Sequence, residues 1–316
     1  MDARAFRSAL DAGERVVLDG GLATQLEAQG ADLSDALWSA RLLQDEPEAI
    51  VAAHRAFFEA GARVGITASY QASFEGFARR GLDRPQTEAL LRLSVALADQ
   101  ARREALEAGE AAGRLFVAAS VGPYGAILAD GSEYRGRYGL SVEQLASVHR
   151  DRLRILAATD ADVLAVETIP ELEEAVAIAG LLGELPGTAA WISFTCADGA
   201  TLRGGAPIEA AVEAVSDAPG VVAVGVNCTA PEHVEELVSR IRATTSLPVV
   251  VYPNSGEGWD AAGRRWTGRG DQGRVDAEAA RRWLAAGAAL VGGCCRVGPA
   301  QVASMGEAVA AAGAAA

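Results

Sequence analysis

A (β/α)8 TIM barrel is the fold class this sequence predicts, and three observations point to it. Short apolar, β-branched runs recur along the chain; long stretches of helical period separate them; and each run stops at a cluster of polar or glycine residues. The eight runs are Arg15–Leu18, Val64–Ala68, Leu115–Val121, Val163–Val166, Ala190–Phe194, Val221–Val226, Leu247–Tyr252 and Ala288–Val291. The stretches between them include Pro47–Ala60, Thr87–Gly109, Val142–Thr159, Leu172–Leu182, Pro207–Ser216, Pro231–Thr244 and Asp276–Ala286, each long enough for a crossover helix. With 316 residues and half of them apolar, one barrel domain over 1–316 can bury its core without staples. The Ala-rich tail 306–316 is expected as a last helix or a frayed end.

In such barrels the chemistry gathers at the carboxyl ends of the strands. Here those ends read Asp19-Gly20-Gly21, then Thr67 through Gln71, Ser120 through Gly125, Glu167-Thr168, Thr195-Cys196, Asn227-Cys228, Tyr252-Pro253-Asn254 and finally Cys294-Cys295. All four cysteines therefore fall on one rim. Adjacent cysteines are poor disulfide partners, because consecutive Cα atoms sit about 3.8 Å apart while disulfides prefer roughly 4.4–6.8 Å. Thiolates brought together from distant positions suit a soft or borderline metal, and Cys228, Cys294 and Cys295 would leave a tetrahedral zinc one ligand short. Two plainer readings stand beside this one. Free cysteines are commonly small buried hydrophobes, and Cys196 is placed where it would close a four-thiolate structural site. Asp19-Gly20 by itself is also an ordinary turn signal, and Glu167 by itself fits a cap or an ion pair.

Composition narrows the partners. A formal charge of -14 and a sequence pI near 4.8 disfavour nucleic acid and anionic membrane, which need basic patches, and favour small-molecule substrates. No leader and no spanning apolar run is evident, so a cytoplasmic protein with reduced thiols is expected. All 28 basic residues are Arg, which removes Schiff-base, pyridoxal-tethering and P-loop chemistries that depend on a lysine amine. His54 and His149 lie in helical stretches and His233 in the first turn of another, with no metal spacing among them, so surface or packing roles are expected for all three. The Gly- and Arg-rich segment 255–273 follows the seventh strand on the active rim and reads as a candidate lid.

The early Asp-Gly-Gly, the Val226-Asn227-Cys228 after the sixth strand and the Gly292-Gly293-Cys294-Cys295-Arg296 after the eighth resemble the homocysteine S-methyltransferase family over nearly the whole chain. Gly122-Pro123-Tyr124-Gly125, the stretch from Asp130 to Gly136, and Tyr252 through Glu257 resemble its S-methylmethionine- or S-adenosylmethionine-using branch. The resemblance implies that Cys228, Cys294 and Cys295 bind Zn²⁺ and that homocysteine sulfur takes the fourth position. It also implies that Asp19 and Glu167 hold the homocysteine ammonium, that backbone N–H groups of Gly20, Gly21 and Leu22 receive its carboxylate, and that Thr67 and Asn227 flank it. Gln71 stands where the betaine-using branch has Tyr, which argues against betaine. Cobalamin and folate are not expected, since no further domain to handle them is seen. Selenium in place of acceptor sulfur, and a non-catalytic zinc barrel with Cys196 as fourth ligand, are the remaining alternatives. Tyr124 and Tyr252 are candidates for cation–π contact with a sulfonium.

Overall fold

The computed structural model describes residues 3–32, 39–109, 113–256, 258–260, 265–267 and 275–314. Its main sheet has eight strands, all parallel: β1 (Val16–Val17), β2 (Val64–Ile66), β3 (Phe116–Val121), β4 (Val163–Ile169), β5 (Ala190–Phe194), β6 (Val221–Asn227), β7 (Val249–Tyr252) and β10 (Ala288–Val291). Their order, β1-β10-β7-β6-β5-β4-β3-β2, leaves β1 and β2 at the two ends. A parallel bridge from Leu18 to Val64 joins those ends. The amides of Asp19 and Arg63 add bonds to the carbonyls of Val64 and Val17, at 3.0 and 2.8 Å. The sheet thus closes into a (β/α)8 barrel, and crossover helices pack on its outside. Two short antiparallel strands, β8 (Gly258–Asp260) and β9 (Arg265–Thr267), form a hairpin after β7. That hairpin falls within the candidate lid 255–273, most of which lies outside the described residues.

Alternation along each strand divides the core in two. Outward residues such as Val17, Val117, Leu164, Ile192 and Val251 pack under the helices. Inward residues such as Val16, Phe116, Val163, Trp191, Val250 and Leu290 fill the barrel itself. The sequence reading has no helix before the first strand, yet Arg4–Asp11 is one. It places Phe6 in the barrel floor, with its ring 5.3 Å from Phe116, edge on, and 6.0 Å from Trp191. The tail is not frayed as far as it is described, because Pro299–Ala314 is one continuous helix.

Candidate active site

Following the inward positions toward the strand ends, the side chains turn polar. Ser120, Glu167, Ser193, Asn227 and Tyr252 are all buried. The Ser120 hydroxyl donates to Glu167 Oε1, and the Ser193 hydroxyl donates to Asn227 Oδ1 at 2.8 Å and lies 2.6 Å from the Tyr252 hydroxyl. Trp191 Nε1 donates to the same tyrosine oxygen at 3.0 Å. This hydrogen-bonded layer sits directly on the apolar filling and forms the base of the catalytic rim.

The thiols arrive by tight backbone turns. Cys228 has φ +45° and Thr168 φ +61°, a left-handed backbone that costs a β-branched or bulky residue about 1–3 kcal/mol and so marks a functional constraint. Asn227 braces both turns: its Oδ1 accepts from the Thr168 amide at 2.6 Å, and its Nδ2 donates to Thr168 Oγ1 at 2.8 Å. The segment from Gly292 to Cys295 runs against the end of β1. A Cβ on Gly292 would lie 2.6 Å from Leu18 Cβ, and one on Gly21 would lie 2.6 Å from the Cys294 carbonyl. Glycine pairs on both segments let two backbones approach closely enough to turn Cys294 and Cys295 toward Cys228. The Cys294 amide, bonded to Pro253 O at 2.8 Å, and the Cys295 carbonyl, bonded to the Ser255 amide at 3.0 Å, fix that segment to the end of β7.

As a result the sulfurs of Cys228, Cys294 and Cys295 all lie within 4.8 Å of one another, with Cys294 and Cys295 at 4.0 Å. Tetrahedral coordination at a Zn–S distance of about 2.3 Å asks for sulfurs about 3.8 Å apart, so this donor set fits the ion with small adjustment. Hydrogen bonds from Cys228 and Cys294 push the Cys295 thiol well down, whereas its hydrogen bond to Cys228 pushes Cys294 up. Among the described residues Cys196 does not join this cluster. It is packed in the outer core, its amide bonded to Thr229 Oγ1, and burial pushes its thiol up to about 12.

A cavity of about 150 Å³ opens above the thiols. Of the residues singled out by sequence, Gly20, Gly21, Leu22, Thr67, Glu167 and the three cysteines line it, together with Tyr252. Asp19 and Asn227 do not. Asp19 lies fully buried at the end of β1, where one carboxylate oxygen accepts from the Ile66 amide at 2.7 Å and the other has no hydrogen-bond partner among the described residues. Burial raises its pKa well above the usual carboxylate range. The Gly21 N–H, expected to face a carboxylate, instead donates to Val297 O at 2.9 Å. The open amides here are those of the first turn of the helix Leu22–Ala28, which have no intrahelical acceptor. Thr67 is held by Ser69 at 2.7 Å and by the Ser120 amide at 3.0 Å.

Two wall residues went unassigned in the sequence reading. Glu133 and Tyr134 stand on the single turn Ser132–Tyr134, inside a motif that marked the family branch but that no periodicity tied to the site. The Tyr134 hydroxyl faces Cys295 and helps to lower its thiol. Burial raises both Glu133 and Glu167 to about 7, and one oxygen of Glu133 is buried without a hydrogen-bond partner among the described residues. Desolvated carboxylates of this kind are matched by an incoming cation.

Behind this wall His149 takes the packing role rather than the surface one. His149 is fully buried in the helix Val142–Ala157, 2.7 Å from Glu174 and 3.1 Å from Arg152. Arg152 in turn donates to the carbonyls of Tyr70, Ala72 and Gly122, tying together the loops after β2 and β3.

A family model described as homocysteine S-methyltransferase matches residues 16–309, nearly the whole barrel whose geometry has just been given. The chain belongs to the homocysteine S-methyltransferase family. The homocysteine S-methyltransferase of Escherichia coli (strain K12) is 47% identical over 300 residues, covering 95% of this chain and 97% of that one. YbgG of Bacillus subtilis (strain 168), also a homocysteine S-methyltransferase, is 46% identical over 295 residues, with 92% and 93% covered. The crystal structure of the homocysteine methyltransferase MmuM from Escherichia coli in its metallated form superposes with a TM-score of 0.86 at 45% identity, over 97% of this chain and 99% of that one. Methyl transfer to homocysteine is therefore the activity of this barrel, and the thiol cluster is its metal-binding candidate. Among the described residues no helix is long and apolar enough to cross a membrane.

Proposed function

We propose that this enzyme transfers a methyl group from S-methylmethionine, and less efficiently from S-adenosylmethionine, to homocysteine bound at a Zn²⁺ held by Cys228, Cys294 and Cys295, in the reducing setting of the cytoplasm. The observation that carries the reading is the convergence of the three thiols beneath a cavity with carboxylates on its wall. The ion, when bound, would present the homocysteine sulfur as thiolate at neutral pH, where a free thiol is mostly protonated.

The chain's own residues do the rest. Glu167 lines the cavity beside the thiols and would receive the homocysteine ammonium; a cation there would return its carboxyl to the charged state that burial disfavours. The buried, unpartnered oxygen of Asp19 offers a second acceptor if that ammonium reaches the end of β1. Gly20 and the first-turn amides from Leu22 onward would receive the carboxylate, and Thr67 with Asn227 would hold the flanking backbone in place. Glu133 faces the same space and suits the cationic sulfur of the donor. The bond from methyl carbon to sulfonium sulfur breaks with its electron pair going to that sulfur, so the leaving group is a neutral thioether and needs no general acid. The wall residues are asked only to orient the methyl group in line and to keep water out.

Zinc per chain and methionine formation, measured together in one reduced, zinc-replete sample, test this. One zinc with turnover that depends on S-methylmethionine is expected. Stoichiometric zinc without turnover on any sulfonium would overturn the assigned donor class.

A further inference from the structure

The metal cavity has a charge problem. Glu27, Asp130, Glu133 and Glu167 stand on its wall, and among the described residues no Arg, Lys or His does. Two amino acids must nevertheless enter it, and each carries a carboxylate. The first-turn amides after Gly21 can serve one of them, which leaves the other, among the described wall residues, facing negative groups.

Next to this cavity, sharing Tyr134 as a wall, lies an open cleft lined by Tyr124, Tyr138, Arg135, Arg137 and Arg203. Two of these guanidinium groups are not spent on ion pairs, although the chain has 42 acidic residues against 28 basic ones. Among the described residues neither Arg203 nor Arg137 has an ion-pair partner, and Arg203 Nε is buried with no hydrogen bond. Arg135 is engaged instead by Asp130 at 3.4 Å and Ser132 at 2.8 Å. The cleft is also built rather than incidental. Arg137 sits at φ +58° with its Nε on Gly204 O at 3.1 Å, and the amides of Arg137 and Tyr138 both donate to one oxygen of Glu171. That bonding keeps the nearest carboxylate occupied by backbone and leaves the guanidinium ends free. Tyr124 and Tyr138 meet edge on at 5.2 Å along the same cleft.

We propose that Arg203 and Arg137 receive the α-carboxylate of the sulfonium methyl donor, so that the donor lies across Tyr134 with its cationic sulfur in the acidic cavity and its carboxylate in the arginine cleft. This rests on the reading of the donor as an amino-acid sulfonium. S-Methylmethionine and S-adenosylmethionine share that carboxylate, and the charge pattern from acidic cavity to basic cleft runs in the same sense as theirs. A guanidinium pair suits a carboxylate because its planar donors match the two oxygens.

The test compares S-methylmethionine with dimethyl(3-aminopropyl)sulfonium, the same molecule without its carboxylate, on wild type, Arg203→Gln and the double variant Arg137→Gln/Arg203→Gln. Steady-state KM is measured on zinc-replete protein with homocysteine present, and calorimetric Kd for the donor on the same protein without homocysteine. For S-methylmethionine the double variant is expected to weaken Kd and raise KM at least about tenfold, the size of a lost charge-assisted contact, with the homocysteine KM unmoved. For the carboxylate-free donor, already weaker on wild type, the same substitutions are expected to shift either quantity by less than about twofold, because the contact can be lost only once. Arg203→Lys, which keeps the charge and loses the fork, should fall between. Equal weakening of both donors, a shift in the homocysteine KM instead, or wild-type affinity that ignores the carboxylate overturns the inference. Wild type that uses no sulfonium at all overturns the donor reading beneath it, and this shows before any variant is made.

Discussion

At the floor of the barrel Phe6, Phe116 and Trp191 pack ring against ring, whereas a few residues further along the same strands Ser120, Glu167 and Ser193 share a hydrogen-bonded layer under three thiols. Both levels use the same inward positions of a two-residue alternation. The difference teaches how the fold separates stability from chemistry. The floor gives its binding free energy to packing and tolerates no polar group without a partner. The rim carries buried acids and strained turns that would be costly alone and are held because the floor beneath them is rigid. Burial by that floor also lifts Glu167 to about 7 and Asp19 well above its usual range, which readies the rim for a cationic ligand.

Removing one thiol should break the comparison most sharply. Cys228→Ser is expected to lower zinc affinity and methyl transfer more than about a hundredfold while leaving the melting temperature of the metal-free protein close to wild type, as read by chelator competition, initial rates and calorimetry. Phe6→Ala should do the opposite. Deleting that fully buried ring is expected to cost about 3–5 kcal/mol in denaturant unfolding, with zinc bound per folded chain unchanged.

A third region sharpens the rule about unpartnered polar groups. His54 is buried in the helix Pro47–Glu59 with no hydrogen bond to either ring nitrogen among the described residues, and burial lowers its pKa from 6.5 to about 4. Between those two pH values the unfolded chain binds more protons than the folded one, so stability is full above pH 6.5 and falls as the pH drops toward 4. The loss at the acid end is expected to be about 3 kcal/mol, and His54→Leu should flatten that limb of a stability–pH curve. The smallest effect is expected at Cys196. Cys196→Ser should leave zinc content and turnover as they are, at a cost of about 1 kcal/mol for a hydroxyl in an apolar pocket; a drop in zinc content would restore the closed four-thiolate site.

Strand ends were legible because alternation and its interruption are local. Ala190–Phe194 and Ala288–Val291 have the bounds the alternation predicts, and Thr67, Glu167, Cys228, Tyr252, Cys294 and Cys295 from five strand ends share one cavity, whereas Cys196 turns into the outer core. The initial helix was not legible, because a short amphipathic stretch before the first strand carries no mark that it returns to plug the floor. For His149 helical period left surface and packing roles open, since it cannot tell an exposed face from one that reaches a buried Glu174 and Arg152. Glu133 and Tyr134 were quoted only as part of a motif; a single turn has too few residues to show which way it faces.

The sequence by itself determined the fold class, the family, the rim on which the chemistry sits and the identity of the three thiols, because those follow from periodicity and from residue types that little else explains. Only the tertiary structure decided which polar groups are already spent. It assigned Gly21 N–H to Val297 and Asn227 to Thr168, it left one oxygen of Asp19 and the Nε of Arg203 without hydrogen-bond partners among the described residues, and it set an arginine cleft beside an acidic cavity. Hydrogen-bond satisfaction is a property of groups far apart in the chain and close in space, and barrel closure is what brings them together.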